Sequence, residues 1–543
     1  MTSTEYDYIV IGAGSAGCAV AARLSERPEL KVLVLEAGGP DAQQEIHVPA
    51  AFPHLFKTAL DWDYMTVPQP GLNGRREFNP RGKVLGGSSS MNAMIFMRGN
   101  PNDYNRWAAM GNQGWAYQDL LPYFRKTQHQ ERGETAHHGV NGPINVANLR
   151  DPNPLSRAFV EAATQAGYAP NDDFNDGEQT GFGLYQVTQK NGLRCSAAGG
   201  YLHPALAREN LTAITHAHVT ELLIEDGRCV GVAYVHEGQA RQVRTRREVI
   251  LCGGSINSPQ VLLLSGIGPA EHLRQHGIPV KLDLPGVGQN LQDHVFVPVA
   301  YHCTQPVTLA DAASPEQGAR FQNEQMGLLT SNIGEAGGFI DLGIDGSPEI
   351  QFHFGPGWFI HHGAGNPAGH GYTLLPGVVR PHSTGSVTLN SADPFDKALV
   401  DPNYYGDPHD MELMKQSVAA AFAIAEQPAF APYRGERHLP GPDVTTPEAL
   451  ENFIRDYSMT IYHPVGTCKM GHDALAVVDD TLRVHGIAGL RVADASIMPV
   501  IINGNSNVPT MVIGEKCAAM ILQELDAPGR ANNLAVAIAA AAV

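Results

Sequence analysis

Gly12-Ala13-Gly14-Ser15-Ala16-Gly17 sets three glycines at the spacing of a phosphate-cradling turn, and Glu36 follows about 20 residues further on. The first glycine permits a tight turn, the second lets a pyrophosphate approach the backbone, and the third lets a helix pack closely on a strand. An acidic side chain at position 36 can accept hydrogen bonds from ribose hydroxyls. Gly12, Gly14, Ser15, Ala16, Gly17 and Glu36 are therefore candidate contacts for a dinucleotide, and these residues alone leave FAD and NAD equally open.

Such a turn works only between a strand and a helix. Residues 6–11 read as a buried strand, Ala16, Val20 and Leu24 recur at helical spacing, and residues 31–36 read as a second strand that ends in Glu36. Further elements of this kind lie far along the chain. Residues 248–252 form an apolar strand ending in Gly253-Gly254, after which Ser258-Pro259 is expected to open a helix. A last strand over 490–493 leads into Asp494, and Pro509 is expected to open a terminal helix carrying Ile513, Cys517, Ile521 and Leu525. From 296 to 458 the pattern changes to alternating apolar segments such as 350–354 and 386–389, which predict a sheet. Residues 41–81 are Pro-rich and irregular, as in a functional cover.

Composition narrows the function. The 543 residues hold 58 glycines and only 17% charged residues, against about 25% in an average globular protein, and the formal charge is -18. That charge repels phosphate backbones and argues against nucleic-acid binding. The seven cysteines are scattered with no CxxC pair, so neither a disulfide framework nor a metal site is expected. The start of the chain has no signal-peptide pattern, and the longest apolar run, 534–543, is shorter than the ~20 residues of a membrane span. A cytoplasmic location is expected, with peripheral membrane association as the variant. Oligomeric state is left open.

Two longer stretches decide the cofactor. Gly82-Lys83-Val84-Leu85-Gly86-Gly87-Ser88-Ser89-Ser90-Met91-Asn92, followed by Phe96, Gly99 and Asp103, resembles the first signature of the glucose-methanol-choline (GMC) oxidoreductases. The run from Gly254-Ser255-Ile256-Asn257-Ser258-Pro259 to Gly268 resembles their second. The resemblance implies an α/β protein with a discontinuous Rossmann-like FAD-binding domain and an inserted, sheet-based (α+β) substrate domain. On this reading, 1–155, 195–295 and 459–527 are FAD-binding segments, 156–194 and 296–458 belong to the substrate domain, and 528–543 is a flexible tail.

The resemblance also implies roles. Val84, Gly87, Met91, Asn92, Val219, Asp494 and Val508 join the expected FAD contacts. Some relatives link a His covalently to the flavin at the position of Met91, so FAD is expected to be non-covalent here. Tyr462-His463-Pro464 resembles the catalytic-histidine segment: imidazole, with an ordinary pKa near ~6.5, suits removal of a hydroxyl proton as hydride leaves for flavin N5. In Asn505-Ser506-Asn507-Val508, Asn507 is the expected partner of that base and Asn505 the alternative. His353, Ile461 and Tyr462 are expected to bind substrate, with His353 next in line as base. Trp358 and Phe359 are candidate walls, and Glu335 is a candidate partner for a cationic substrate. Residues 288–294 (Gly-Gln-Asn-Leu-Gln-Asp-His) are assigned a structural role.

The expected reaction is FAD-dependent oxidation of a primary alcohol to an aldehyde, with electrons passing to a quinone-like acceptor or oxygen. The resemblance is strongest to the choline and aliphatic-alcohol dehydrogenase branch, so choline dehydrogenase proper is one alternative. A flavin-containing hydroxynitrile lyase, which performs no net redox chemistry, is an alternative of another class.

Overall fold

The computed structural model describes residues 5–527, and the expected tail at 528–543 lies outside them. Strand β1 (Tyr6–Ile11), helix α1 (Ser15–Leu24) and strand β2 (Val32–Leu35) follow the N-terminal pattern closely. β1 lies parallel to β2 on one side and to β3 (Gln239–Leu251) on the other. Leu211–Ile214 extends the sheet beyond β2, and Leu490–Val492 pairs in parallel with β3, within a sheet of seven strands. Ile11 stands opposite both Leu35 and Leu251, and Leu251 opposite Val492. The carboxyl ends of these strands therefore stop at one level, the edge where α/β sheets bind ligands.

Two local expectations are corrected. β3 begins at Gln239, well before residue 248, because the exposed, Arg-rich half of the strand pairs antiparallel with Arg228–His236. The following helix, α2 (Gly254–Leu264), starts ahead of Ser258-Pro259 and encloses both. Pro259 cannot donate to the carbonyl of Ser255, and the Thr467 hydroxyl takes that acceptor at 2.6 Å. Ser258 spends its hydroxyl on Asp494 Oδ2 at 2.6 Å.

The inserted region forms an antiparallel sheet of eight strands. Its centre is β4 (Ala336–Ile340), β5 (Ile350–Gly355) and β6 (Gly371–Val378). Along β5, Ile350, Phe352 and Phe354 join a core with the helices Pro154–Gln165 and Pro408–Ala425. Strand alternation then turns Gln351 and His353 to the other face. β7 (Met459–Thr460), just before His463, pairs with Val295–Phe296, just after His294, so two distant segments meet at the edge of this sheet.

The terminal helix α3 (Asn507–Asp526) lies against α1, and a Cβ at Gly514 would come within 2.5 Å of the Ala16 carbonyl oxygen. This close approach brings the two helix N-termini together, where Ser15 Oγ donates to Asn507 Oδ1 at 2.6 Å.

Candidate active site

One cavity runs from the carboxyl edge of the first sheet to the face of the second that carries His353. Gly12, Gly14, Ser15, Glu36 and Val219 line one end, and His353, Ile461, Tyr462 and His463 line the other. The first end is made by close backbone approach. Gly12 has φ +93°, and a Cβ on Gly17 would stand 2.0 Å from the Gly12 carbonyl oxygen. Gly14 alone of the three has open space at its Cβ position, with no atom within 4 Å. The first turns of α1, α2 and α3 all border the cavity and none carries an acidic residue; α1 and α3 have no side-chain cap, whereas the Gly254 N–H at the start of α2 donates to Asp494 Oδ2 at 2.8 Å. The two uncapped helix N-termini, those of α1 and α3, favour an anionic group. Glu36 is buried and accepts from the backbone N–H groups of Ala13 and Gly38, both at 2.8 Å. Burial raises its pKa, and these donors pull the other way. Open space above Gly14, unpaired helix N–H groups and an acid at the strand end together fit a diphosphate-linked dinucleotide such as FAD.

Of the other expected cofactor contacts, Ala16, Gly87, Met91, Asn92, Val219 and Asp494 lie on the cavity wall. Val84 and Val508 do not: Val84 packs with Ile46, Leu55 and Leu60, and Val508 lies in the core of the first sheet. Gly17 also lies behind the wall, packed against the turn it permits. Phe52 and Phe56, from the Pro-rich excursion, form part of the wall over the second end.

At that end His463 is buried, and its two ring nitrogens have different partners. Nδ1 lies 3.0 Å from Nδ1 of His294, while Nε2 lies 3.2 Å from Nδ2 of Asn505. The Asn505 oxygen accepts from Gln351 Nε2 at 3.3 Å, so its amide presents N–H to the imidazole. His463 Nε2 is thus an acceptor, and its hydrogen belongs on Nδ1, donated to His294. Burial, aided by His294, His353 and Arg81, holds the His463 pKa well below 6.5. The ring is neutral at pH 7. His353 and His294 are each lowered to about 3, chiefly by burial.

The backbone here is tightly held. Asp293 Oδ1 accepts from His463 N at 2.9 Å, and its Oδ2 accepts from the hydroxyls of Thr460 and Tyr404, both at 2.6 Å. Tyr462 has φ +74°, and its carbonyl accepts from Arg81 Nη2 at 2.7 Å. Its hydroxyl meets His362 Nδ1 at 2.7 Å, and His362 Nε2 meets Glu77 Oε1 at 2.7 Å.

Several residues stand elsewhere than the sequence suggested. Asn505, the alternative, is the amide in contact with His463. Asn507 anchors its oxygen on Ser15 and, among the described residues, its amide nitrogen has no protein acceptor on the cavity wall. Phe359 lines the cavity, but Trp358 packs over Gly371 and donates to Gly369 O at 3.0 Å. Glu335 is away from the cavity and is consumed by Ser331, Ser156 and the Asn153 N–H. The 288–294 run, assigned a structural role, puts Asp293 and His294 directly on His463. Its acid-histidine ending was the available clue.

The chain is similar to known proteins along nearly its whole length. Residues 6–296 match the N-terminal and residues 381–514 the C-terminal family model described as GMC oxidoreductase. The chain is 43% identical to an alcohol dehydrogenase (acceptor) of Pseudomonas putida, over 96% of each chain. It is 45% identical to the mitochondrial choline dehydrogenase of Mus musculus, over 95% of this chain and 89% of that one. Among solved structures, a formate oxidase variant of Aspergillus oryzae RIB40, studied for FAD modification, matches with a TM-score of 0.90 at 29% identity, over 96% of this chain and 99% of that one.

Proposed function

The chain belongs to the GMC oxidoreductase family, an FAD-dependent group acting on CH–OH donors, and from that premise we propose that it oxidises an uncharged, apolar primary alcohol to the aldehyde. When bound, FAD supplies the two-electron acceptor for the substrate hydride. Gly14, Ser15, Glu36, Gly87, Asn92 and Asp494 are the residues that hold it. His463 Nε2 takes the hydroxyl proton; its neutral state leaves that lone pair available, and His294 fixes the hydrogen on the opposite nitrogen. Asn507, its oxygen tied to Ser15, directs its free amide N–H groups at the substrate oxygen, and Asn505 steadies the imidazole before substrate arrives. Phe52, Phe56, Ile333, Phe359, Leu375 and Ile461 keep water from the reacting bond. Met91 offers no nitrogen nucleophile, so FAD is held without a covalent bond, and acid denaturation releases all of it from the polypeptide.

One observation carries the substrate class. The only carboxylates on the cavity wall, Glu36 and Asp494, stand at the strand ends of the first sheet, and none lines the His463 end among the described residues. The alternative of choline draws support from aromatic rings there: Phe56 is 5.9 Å from Phe52 and 5.6 Å from Tyr462, and such faces attract a quaternary ammonium. Anaerobic flavin reduction by a series of n-alkanols and by choline decides between them. For an apolar pocket, kcat/KM rises about fourfold per added methylene, from ~0.8 kcal/mol of burial, and choline is poor. A choline preference over every alkanol would overturn the assignment. Bleaching of the flavin by any alcohol also separates the enzyme from a lyase, whose flavin stays oxidised. We further assign the electrons to a quinone-like acceptor, a reading supported by the acceptor-type name of the Pseudomonas putida relative. Among the described residues no helix is long and apolar enough to cross a membrane.

A further inference from the structure

Arg194 is 7% exposed, and it has no carboxylate beside it. Nε donates to Ile46 O at 2.7 Å, and Nη1 donates to Ser89 O at 3.1 Å and to Asn92 Oδ1 at 2.8 Å. Nη2 is buried without a partner. The buried arginines Arg491 and Arg98 and the half-buried Arg81 are different. Arg491 pairs with Glu248 and Glu524, Arg81 lies in the field of Asp293 and Asp61, and Arg98 in that of Asp173. No charged group offsets Arg194; burial alone lowers its pKa, to about 9, and leaves it a cation at neutral pH.

A buried charge without a counter-charge is costly unless a ligand supplies the missing partner. Two of the groups Arg194 holds, Ser89 and Asn92, belong to the loop whose Gly87, Ser88, Met91 and Asn92 form the cavity wall. The guanidinium is thus one hydrogen bond behind the surface that meets the cofactor. We propose that Arg194 is the counter-charge for the reduced flavin, and this rests on FAD occupying the cavity as assigned above. Oxidation of the alcohol delivers a hydride, two electrons with one proton, to a neutral ring and leaves that ring with one negative charge. The hydroxyl proton goes to His463, and the alcohol leaves as aldehyde. A fixed cation behind Asn92 favours the charged product over the neutral starting state. The FAD pyrophosphate is a second source of negative charge, but it is equally charged in both states and gains nothing from reduction.

The test compares Arg194→Met, which removes the charge, with Arg194→Lys, which keeps it, in the flavin-loaded protein. Sulfite adds to flavin N5 and leaves the ring anionic, so its affinity reads the same charge as the midpoint potential. Arg194→Met is expected to bind sulfite at least tenfold more weakly and to lower the two-electron midpoint potential by about 30 mV, the equivalent of that factor. Arg194→Lys is expected to stay within threefold of wild type. Should Arg194→Met fail to hold flavin, Arg194→Gln, which retains donors for Ser89 and Asn92, carries the same comparison. Unchanged potential and sulfite affinity overturn the inference, as does an equal shift in the lysine and neutral variants. Weakened FAD binding with an unshifted potential assigns the charge to the pyrophosphate and also overturns it. Wild-type protein without flavin would instead refute the function proposed above.

Discussion

At the Glu36 end of the cavity the wall is largely backbone, shaped by glycines and the first turns of three helices. At the His463 end it is side chain, delivered by segments that lie far apart in the chain; His294 and His463 are 169 residues apart and touch through their ring nitrogens. The first end tolerates no added volume where chain meets chain, yet chemically it relies mainly on N–H groups and the two acids Glu36 and Asp494. The second has volume to spare along its apolar walls but depends on which nitrogen of one imidazole carries a proton. Substitutions should therefore fail differently at the two ends, by steric conflict at one and by loss of proton transfer at the other.

The largest expected effect tests the side-chain end. His463→Ala should slow flavin reduction by ~10²- to 10⁴-fold, the usual loss for a positioned acid-base group, while FAD stays bound. Stopped-flow reduction by the best alkanol measures it, and a near-normal rate would move the base to His353. The matching test of the backbone end is Gly17→Ala. Its methyl would lie 2.0 Å from the Gly12 carbonyl oxygen, a contact neither backbone segment can relieve. A loss of about 3 kcal/mol or more, seen by thermal unfolding of FAD-free protein, is expected from such overpacking.

The same contrast governs what could be read from sequence. The glycine turn, both flanking strands and Glu36 are local in the chain, and their spacing reports a local geometry; they stand where expected. Ser258-Pro259 misled because Ser-Pro at a helix start is only a preference, and the partner that rescues the lost hydrogen bond, Thr467, is more than 200 residues away. The sequence alone assigns His294 only a structural role, and ranks Asn505 behind Asn507, for a similar reason. Nothing in 288–294 or 505–507 alone tells which side chain will face an imidazole on another segment, since that depends on how β7 pairs with Val295–Phe296. His353 lies between, because strand alternation places it on the cavity face of β5 once the strand itself is recognised.

A smaller effect sharpens the side-chain end. His294 accepts the Nδ1 hydrogen of His463, so His294→Leu leaves a buried donor unpaired, at a cost of about 1–3 kcal/mol, and frees the imidazole to place its hydrogen on Nε2. Flavin reduction should slow roughly 5- to 150-fold by that energy. His294→Asn, which retains an acceptor, should recover part of the rate, and ¹⁵N shifts of His463 should show the tautomer change only in the leucine variant. The pH profile is set by the depressed pKa of His463. Because the folded value lies well below 6.5, the ring binds its proton only at lower pH. The rate should accordingly be flat above pH 6.5 and fall as acid titrates the base, approaching tenfold per unit beneath its pKa. A limb rising between pH 7 and 8 would contradict the burial argument.

The smallest effect on the fold is expected at Gly14, and it separates architecture from binding at the backbone end. Gly14 has φ −78° and ψ −164°, a conformation any residue adopts, and the space at its Cβ position is open. Gly14→Ala should therefore change the stability of FAD-free protein by no more than about 0.5–1 kcal/mol, mainly through the poorer helix cap. That open space is where the diphosphate must approach the N–H groups of α1, and a methyl there holds the phosphate off. FAD affinity, measured by flavin fluorescence on titration of the stripped protein, should drop at least tenfold while the melting temperature without flavin barely moves. Equal losses in both measurements would mean that Gly14 serves packing, as Gly17 does. Unchanged FAD affinity would mean that the cofactor crosses the sheet edge at another point, and the division of the cavity into a backbone end and a side-chain end would have to be redrawn.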